Sequence, residues 1–218
     1  MRGAVALALV CGAAAAFAQT DHDNLDAGRP LRFEDAEPVA FRTLALEYGL
    51  GLGFSRRRSV GVNGDFELIY GSNLNGQLEI GFEELAYLYS FRQEIGNVPA
   101  MALKAEARFA GGARLRAIAT KTVGRYDRLH ANLDLDFSDG RAQLGGVLGY
   151  SHPLGYPREF NTTGLAEIAF VPGARSVSLG LGVRRQISPR AVLDFGVQSD
   201  LSAHATPLRL VAGYSTSF

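Results

Sequence analysis

The chain has 218 residues, 22 Lys and Arg against 22 Asp and Glu, 26 Gly, one Cys and no Trp. Balanced charge supplies no cationic surface for nucleic acid and excludes that class of partner. A single cysteine excludes an internal disulfide, and the length suits one domain or one barrel of medium size.

The chain opens MRGAVALALVCGAAAAFAQ. Arg2 is followed by a small and apolar run from Ala4 to Ala16, and Ala16-Phe17-Ala18 fits a small-x-small cleavage site. Residues 1–18 therefore read as an export signal peptide cleaved after Ala18. The run is short for a bilayer-spanning helix, which needs about 20 residues. Cys11 lies inside it, so the mature chain has no thiolate metal site and no thiol nucleophile. Residues 19–40 are polar, acidic and carry Pro30 and Pro38. They read as a periplasmic tail ahead of the first strand, with the barrel lumen as the other place to hold them. Asp21-His22-Asp23 reads as solvated tail rather than a metal site, and no cofactor is expected.

Beyond the signal no apolar run approaches membrane-helix length. Any membrane span must then be a closed β-barrel, because lipid tolerates no unpaired strand edge. Residues 41–218 carry the pattern for one. From Thr43 to Phe54 the chain alternates strictly: Leu44, Leu46, Tyr48, Leu50, Leu52 and Phe54 on one face, Glu47, Gly49, Gly51 and Gly53 on the other. A period of two is a strand. A Leu and aromatic face opposite a Gly and Glu face suits a strand between lipid and a wet or crowded lumen.

The alternation recurs in Phe66–Gly71, again in Gln77–Glu83 after the Asn75-Gly76 turn signal, and in Leu85–Phe91. It continues in Met101–Phe109, then past Gly111-Gly112 in Arg114–Ala117, and in Leu129–Phe137. Ser138-Asp139-Gly140-Arg141 predicts a tight hairpin into the strand of Leu144, Leu148 and Tyr150. A longer connection spans 152–163, and four more strands follow, at about 164–171, 175–187, 190–199 and 206–218. The expected fold is an all-β, closed antiparallel up-and-down transmembrane barrel of about twelve strands. Ten is the alternative if 76–83 and 85–94 form one strand and a weak segment is loop; an even number is the rule for single-chain bacterial barrels.

The last strand places Leu208, Leu210, Ala212, Tyr214 and Phe218 on one face. A terminal aromatic is the usual signal read by the barrel assembly machinery, so Tyr214 and Phe218 are the candidate assembly residues. With both termini periplasmic, the turns at 73–76, 94–98, 123–127 and 187–190 face the periplasm. The loop of Arg56, Arg57 and Arg58 then faces outward, where lipopolysaccharide phosphates or plain solvent would receive it. Phe54, Phe66, Tyr89, Phe91, Tyr150, Tyr214 and Phe218 suit an interfacial aromatic girdle.

The lumen face carries the candidate site. Lys104, Glu106, Arg108, Arg114 and Arg116 on neighbouring strands should lie near His130, Asp134 and Asp136 on the next. They form either a charged constriction that selects polar or anionic permeants or a salt-bridge network that fills a narrow lumen. Mixed signs in near balance favour the network. His130 beside aspartates admits a hydrolase reading, but no Ser shares a motif with it in sequence, and no enzyme activity is expected. The runner-up fold is a soluble periplasmic β-sandwich or ligand-binding barrel with the apolar face inward.

Arg29-Pro30-Leu31, Glu34–Pro38, Leu44–Phe54, Tyr70–Asn73, Leu78–Gly81, Arg184–Arg190, Asp194–Gly196 and the Phe218 end together resemble the outer-membrane transporters grouped as the MetA-pathway of phenol degradation family. The resemblance implies an outer-membrane barrel passing small, hydrophobic or aromatic compounds. It implies no catalytic residues.

Overall fold

A computed structural model describes residues 29–55, 59–155, 161–171, 176–201 and 208–218. Arg56, Arg57, Arg58 and the Asp21–Asp23 cluster lie outside the described residues. Twelve strands are present: β1 Leu44–Phe54, β2 Val60–Asn73, β3 Gly76–Gly81, β4 Glu84–Arg92, β5 Ala100–Arg108 and β6 Ala113–Val123. They continue as β7 Asp127–Ser138, β8 Arg141–Pro153, β9 Thr162–Val171, β10 Ser176–Ser188, β11 Ala191–Asp200 and β12 Leu208–Ser217. Each pairs antiparallel with its sequence neighbours, and β1 pairs with β12 from Ala45↔Ser217 to Phe54↔Leu208 to close the barrel. Of the two expected counts, twelve is correct. Residues 76–83 and 85–94 form two strands because Phe82-Glu83 turns the chain between them.

Local sequence explains the hairpins. Asp139 and Gly140 both take positive φ, 51° and 68°, which is the two-residue turn whose twist matches the strands it joins. Asn73 faces Gly76 across a register shift, so the Asn75-Gly76 signal closes β2 onto β3.

The polarity of the wall is inverted relative to a soluble protein. Along β7, Leu133 is 54% exposed while its neighbour Asp134 is 7% exposed. Leu129 and Phe137 follow Leu133, and His130, Asn132 and Asp136 follow Asp134. Apolar residues outside and ionised residues inside suit only a lipid surround, because in water the outward Leu and Phe rows would stay solvated without gain. This arrangement rules out the sandwich and the inward-apolar barrel. Aromatic side chains stand exposed at both rims of the outer surface, Tyr70, Tyr87, Tyr89, Phe91, Tyr150 and Phe218 at one and Phe82, Phe109, Phe137 and Phe170 at the other. Of the expected girdle, Tyr89, Phe91, Tyr150 and Phe218 are exposed at the first rim, while Phe54, Phe66 and Tyr214 are half-buried.

The wall is uneven. β3 has six residues and β2 has fourteen. Val60–Phe66 pair with β1, but the pairing of β2 with β3 begins only at Glu67↔Gly81. An unpaired strand edge is not tolerated in hydrocarbon. The far half of the β1–β2 hairpin therefore projects past the apolar band, and this fixes which rim stands clear of the membrane core.

Candidate functional site

The lumen is occupied by the chain's own N-terminal segment. Of the tail at 19–40, residues 29–40 lie inside the barrel. Arg42 N donates to Gly71 O (2.8 Å) and Thr43 N to Ala40 O (2.9 Å), which turns the chain inward at the start of β1. From there the segment, followed back toward its start, visits the strands in barrel order. Val39 N donates to Gln77 Oε1 (2.6 Å) on β3, Ala36 N to Thr120 Oγ1 (3.0 Å) on β6 and Glu34 N to Asn132 Oδ1 (2.7 Å) on β7. Arg32 N donates to Glu167 Oε2 (2.6 Å) on β9 and its guanidinium to Ser178 Oγ (3.0 Å) on β10. Pro30 O accepts from Gln198 Nε2 (3.3 Å) on β11, and Arg29 pairs with Glu47 on β1. Residues 29–42 thus form a collar that runs once around the inner wall.

The collar is held by complementary shape as well as polar contacts. Phe33 rests on Gly149 and Pro30 on Gly196, where a Cβ would lie 2.6 Å from the Pro30 carbonyl oxygen. Leu31 sits over Gly180 and Gly182, and Leu31, Phe33, Val147, Leu165 and Ala169 form a small dry cluster on one side of the lumen. Ala36, Leu88, Ala100, Ala102 and Ile118 form a second on the other. Several of the inward glycines are therefore the seats of collar residues.

The predicted lumen charges fall into two networks at different heights. In the lower one, Lys104 Nζ meets Glu34 (3.0 Å) and Glu79, and Arg116 binds Asp134 bidentately at 2.6 and 3.0 Å while also reaching Glu34 (3.2 Å). All five groups are buried, and Glu34 of the collar is the shared carboxylate. In the upper one, Arg108 binds Asp136 bidentately at 2.5 and 3.3 Å and Glu106 at 3.1 Å, and Arg114 approaches the same two carboxylates at 3.3 and 3.4 Å. These arginines are a quarter to a third exposed and stand toward the mouth that carries the β1–β2 hairpin, beyond the collar.

His130 belongs to neither network's core. Its ring nitrogens face Thr120 Oγ1 (3.3 Å) and Ser151 Oγ (3.0 Å), and the Phe33 ring lies 4.8 Å away. The Ser–His proximity arises from strand register, not from a sequence motif. The ring is 2% exposed, so it holds the collar's aromatic residue and is not open to a substrate.

No family model matches the chain, and no curated protein matches it. Solved structures do share the fold. The COG4313 outer membrane channel from Pseudomonas putida F1 superposes with a TM-score of 0.63 at 13% identity, covering 89% of this chain and all of that one. The KdgM porin gives 0.58 at 10% identity, over 80% of this chain and 99% of that one. The CymD monoaromatic hydrocarbon channel gives 0.51 at 10%, over 82% and 89%. At these identities the likeness is one of fold.

Sequence reasoning missed the carboxylates Glu34, Glu79 and Glu167, the pairing of Arg29 with Glu47, and the Arg184 and Asp194 that face each other across β10 and β11. The usable signal was the spacing of Arg29, Arg32, Glu34, Asp35 and Glu37: mixed charge around Leu31 and Phe33 is unlike a solvated tail. Tyr214 lies opposite Tyr48 on β1, and Phe218 N donates to Leu44 O (2.8 Å), so the terminal residue is pinned at the barrel seam.

Proposed function

We propose that this chain is an outer-membrane channel for small solutes, exported by a cleaved signal peptide and held closed in the described state by its own collar. The observation that carries the reading is the collar: a membrane barrel whose lumen is filled by one continuous segment held largely through side-chain hydrogen bonds and ion pairs. Water replaces each neutral contact at a net cost of about 0.5–1.5 kcal/mol and each charged one at about 1.5–3 kcal/mol, hydrating both partners as the segment leaves. Displacing the collar is therefore costly and openings are rare, but it exposes no buried apolar core as unfolding would. The lumen charges then act as a constriction when the collar moves and as a scaffold for it when it is seated. The permeant class is small and hydrophobic or aromatic, in keeping with the family resemblance and with the named cargo of one of the similar channels.

The test is single-channel recording in planar bilayers of the refolded mature chain and of a variant lacking residues 29–40. Rare openings of the full chain and a steady, larger conductance for the variant are expected. Silence from both, with the barrels shown to be folded, overturns the channel reading and leaves a purely structural barrel.

Two partners complete the proposal. Arg56, Arg57 and Arg58 would pair with lipopolysaccharide phosphates, and Phe218 with Tyr214 would be read by the barrel assembly machinery. Deleting Phe218 should lower outer-membrane levels of the protein and leave periplasmic degradation products. Normal levels of the truncated chain would count against the assembly role.

A further inference from the structure

Beyond the collar the lumen is not filled evenly. Where β12, β1 and β2 meet, the inward positions are Gly53, Gly61, Asn63 and Arg209, and the hairpin above them is closed by Ser55 and Ser59. Ser55 N donates to Ser59 O (3.0 Å) and the two hydroxyls meet at 2.6 Å. With glycine on both neighbouring strands the wall is thin, and a recess of about 300 Å³ remains. A Cβ on Gly61 would find only the Gly53 carbonyl, at 4.0 Å, so the recess is open where the glycines beneath the collar are covered.

Its electrostatics differ from those of the opposite wall. Arg108 and Arg114 each meet the carboxylates of Glu106 and Asp136. Arg209 forms no ion pair with a described residue. Its contact is the side-chain carbonyl of Asn63 at 3.0 Å, in the amide orientation that also lets Asn63 donate to Gly51 O at 2.9 Å. Two other charges act on it at longer range, Arg32 of the collar and Asp65 of β2. A guanidinium has five donors and prefers a bidentate acceptor. Here it faces a recess furnished with an amide and two hydroxyls and, among the described residues, with no contacting carboxylate.

We propose that this recess binds a small solute bearing a carboxylate, with the anion on Arg209 and the rest of the molecule over the glycine wall. A volume near the lower end for ligand sites, roughly 300 Å³, limits the ligand to about the size of one ring with its acid group. The proposal rests on the channel reading for its purpose: the recess is where a permeant rests before the collar yields. Binding itself requires no conduction.

The experiment is calorimetric titration of the folded, full-length mature barrel in detergent with benzoate and with benzyl alcohol, which has the same ring and no charge. Saturable benzoate binding, with benzyl alcohol weaker by about tenfold or more, is expected from loss of a charge-assisted bidentate contact. Arg209→Gln should remove that difference, and Asp65→Asn should strengthen benzoate binding by withdrawing the competing anion. Gly61→Leu, which fills the recess and leaves the charge, should also abolish binding. Equal affinity for the two ligands, or benzoate binding unchanged in Arg209→Gln or in Gly61→Leu, overturns the site. A barrel that binds benzoate through Arg209 and never conducts would overturn only the channel reading.

Discussion

The two halves of the lumen carry similar side chains and use them differently. Around the collar, Lys104, Arg116, Glu34, Glu79 and Asp134 are buried and each meets at least one opposite charge. Toward the mouth on the β1–β2 hairpin side, Arg108 and Arg114 keep a quarter to a third of their surface, and Arg209 contacts an amide. Burial sets the consequence. A buried pair broken on one side leaves an uncompensated charge and costs about 3–5 kcal/mol, while an exposed pair is worth about 0–1 kcal/mol. The same alternating strands therefore supply a rigid seat below and an adjustable mouth above.

The largest expected effect comes from the shared carboxylate of the seat. Glu34→Gln should destabilise the barrel by about 3 kcal/mol, at the low end for a buried pair because Glu79 and Asp134 still hold the two cations. Urea unfolding followed by heat-modifiable gel mobility would measure it. A loss below about 1 kcal/mol would make the seat no tighter than the mouth and erase the contrast.

Next in size is a pair of glycine substitutions. Gly149→Leu places a side chain where the Phe33 ring lies, and should cost about 2 kcal/mol by overpacking and raise the open probability of the channel. Gly61→Ala, in the open recess, should change stability by less than about 0.5 kcal/mol. Equal costs at the two sites would show that the collar does not press on the wall as described. Smaller again is Arg108→Gln, a partly exposed arginine with two acceptors. It should shift ionic selectivity toward cations, read as the reversal potential in a salt gradient, with a stability change under about 1 kcal/mol.

How much of this was legible in the sequence follows from what alternation encodes. Period two located the strands, and inward parity grouped Lys104 to Arg116 with Asp134 and Asp136, because strand neighbours in a meander are neighbours in space. Alternation is silent on which face meets lipid. Phe218 and the Gly-rich face suggested it, and the buried Asp134 beside exposed Leu133 decided it. The collar was hardest to see. Residues 29–42 make no strand, so no period marks them, and their partners (Gln77, Thr120, Asn132, Glu167, Gln198) are spread over five strands. Long-range polar contacts of this kind leave no local pattern. Alternation places the inward glycines on one face of their strands and says no more, and only the seated Phe33 and Pro30 give Gly149 and Gly196 their reason.

The smallest expected effect lies outside the lumen, at the turn between β4 and β5, and separates rim electrostatics from those of the seat. Burial opposes the charge on Glu94, but hydrogen bonds from Lys121 and from the Thr122 amide and hydroxyl outweigh it and hold the carboxyl below its ordinary value of 4.5. A carboxylate depressed in the folded state favours folding above its unfolded value, and that contribution disappears as pH falls through the folded value. The rim should therefore loosen below about pH 4.5 in the wild type and not in Glu94→Gln, by under about 1 kcal/mol because both side chains are roughly a quarter exposed. Amide hydrogen exchange of the 93–99 turn at pH 6 and pH 3.5, corrected for intrinsic exchange rates, reads it directly. Loss of protection confined to this turn keeps the rim and the seat independent. Loss that spreads to Glu34 and Phe33 would couple the two and make the collar itself acid-sensitive.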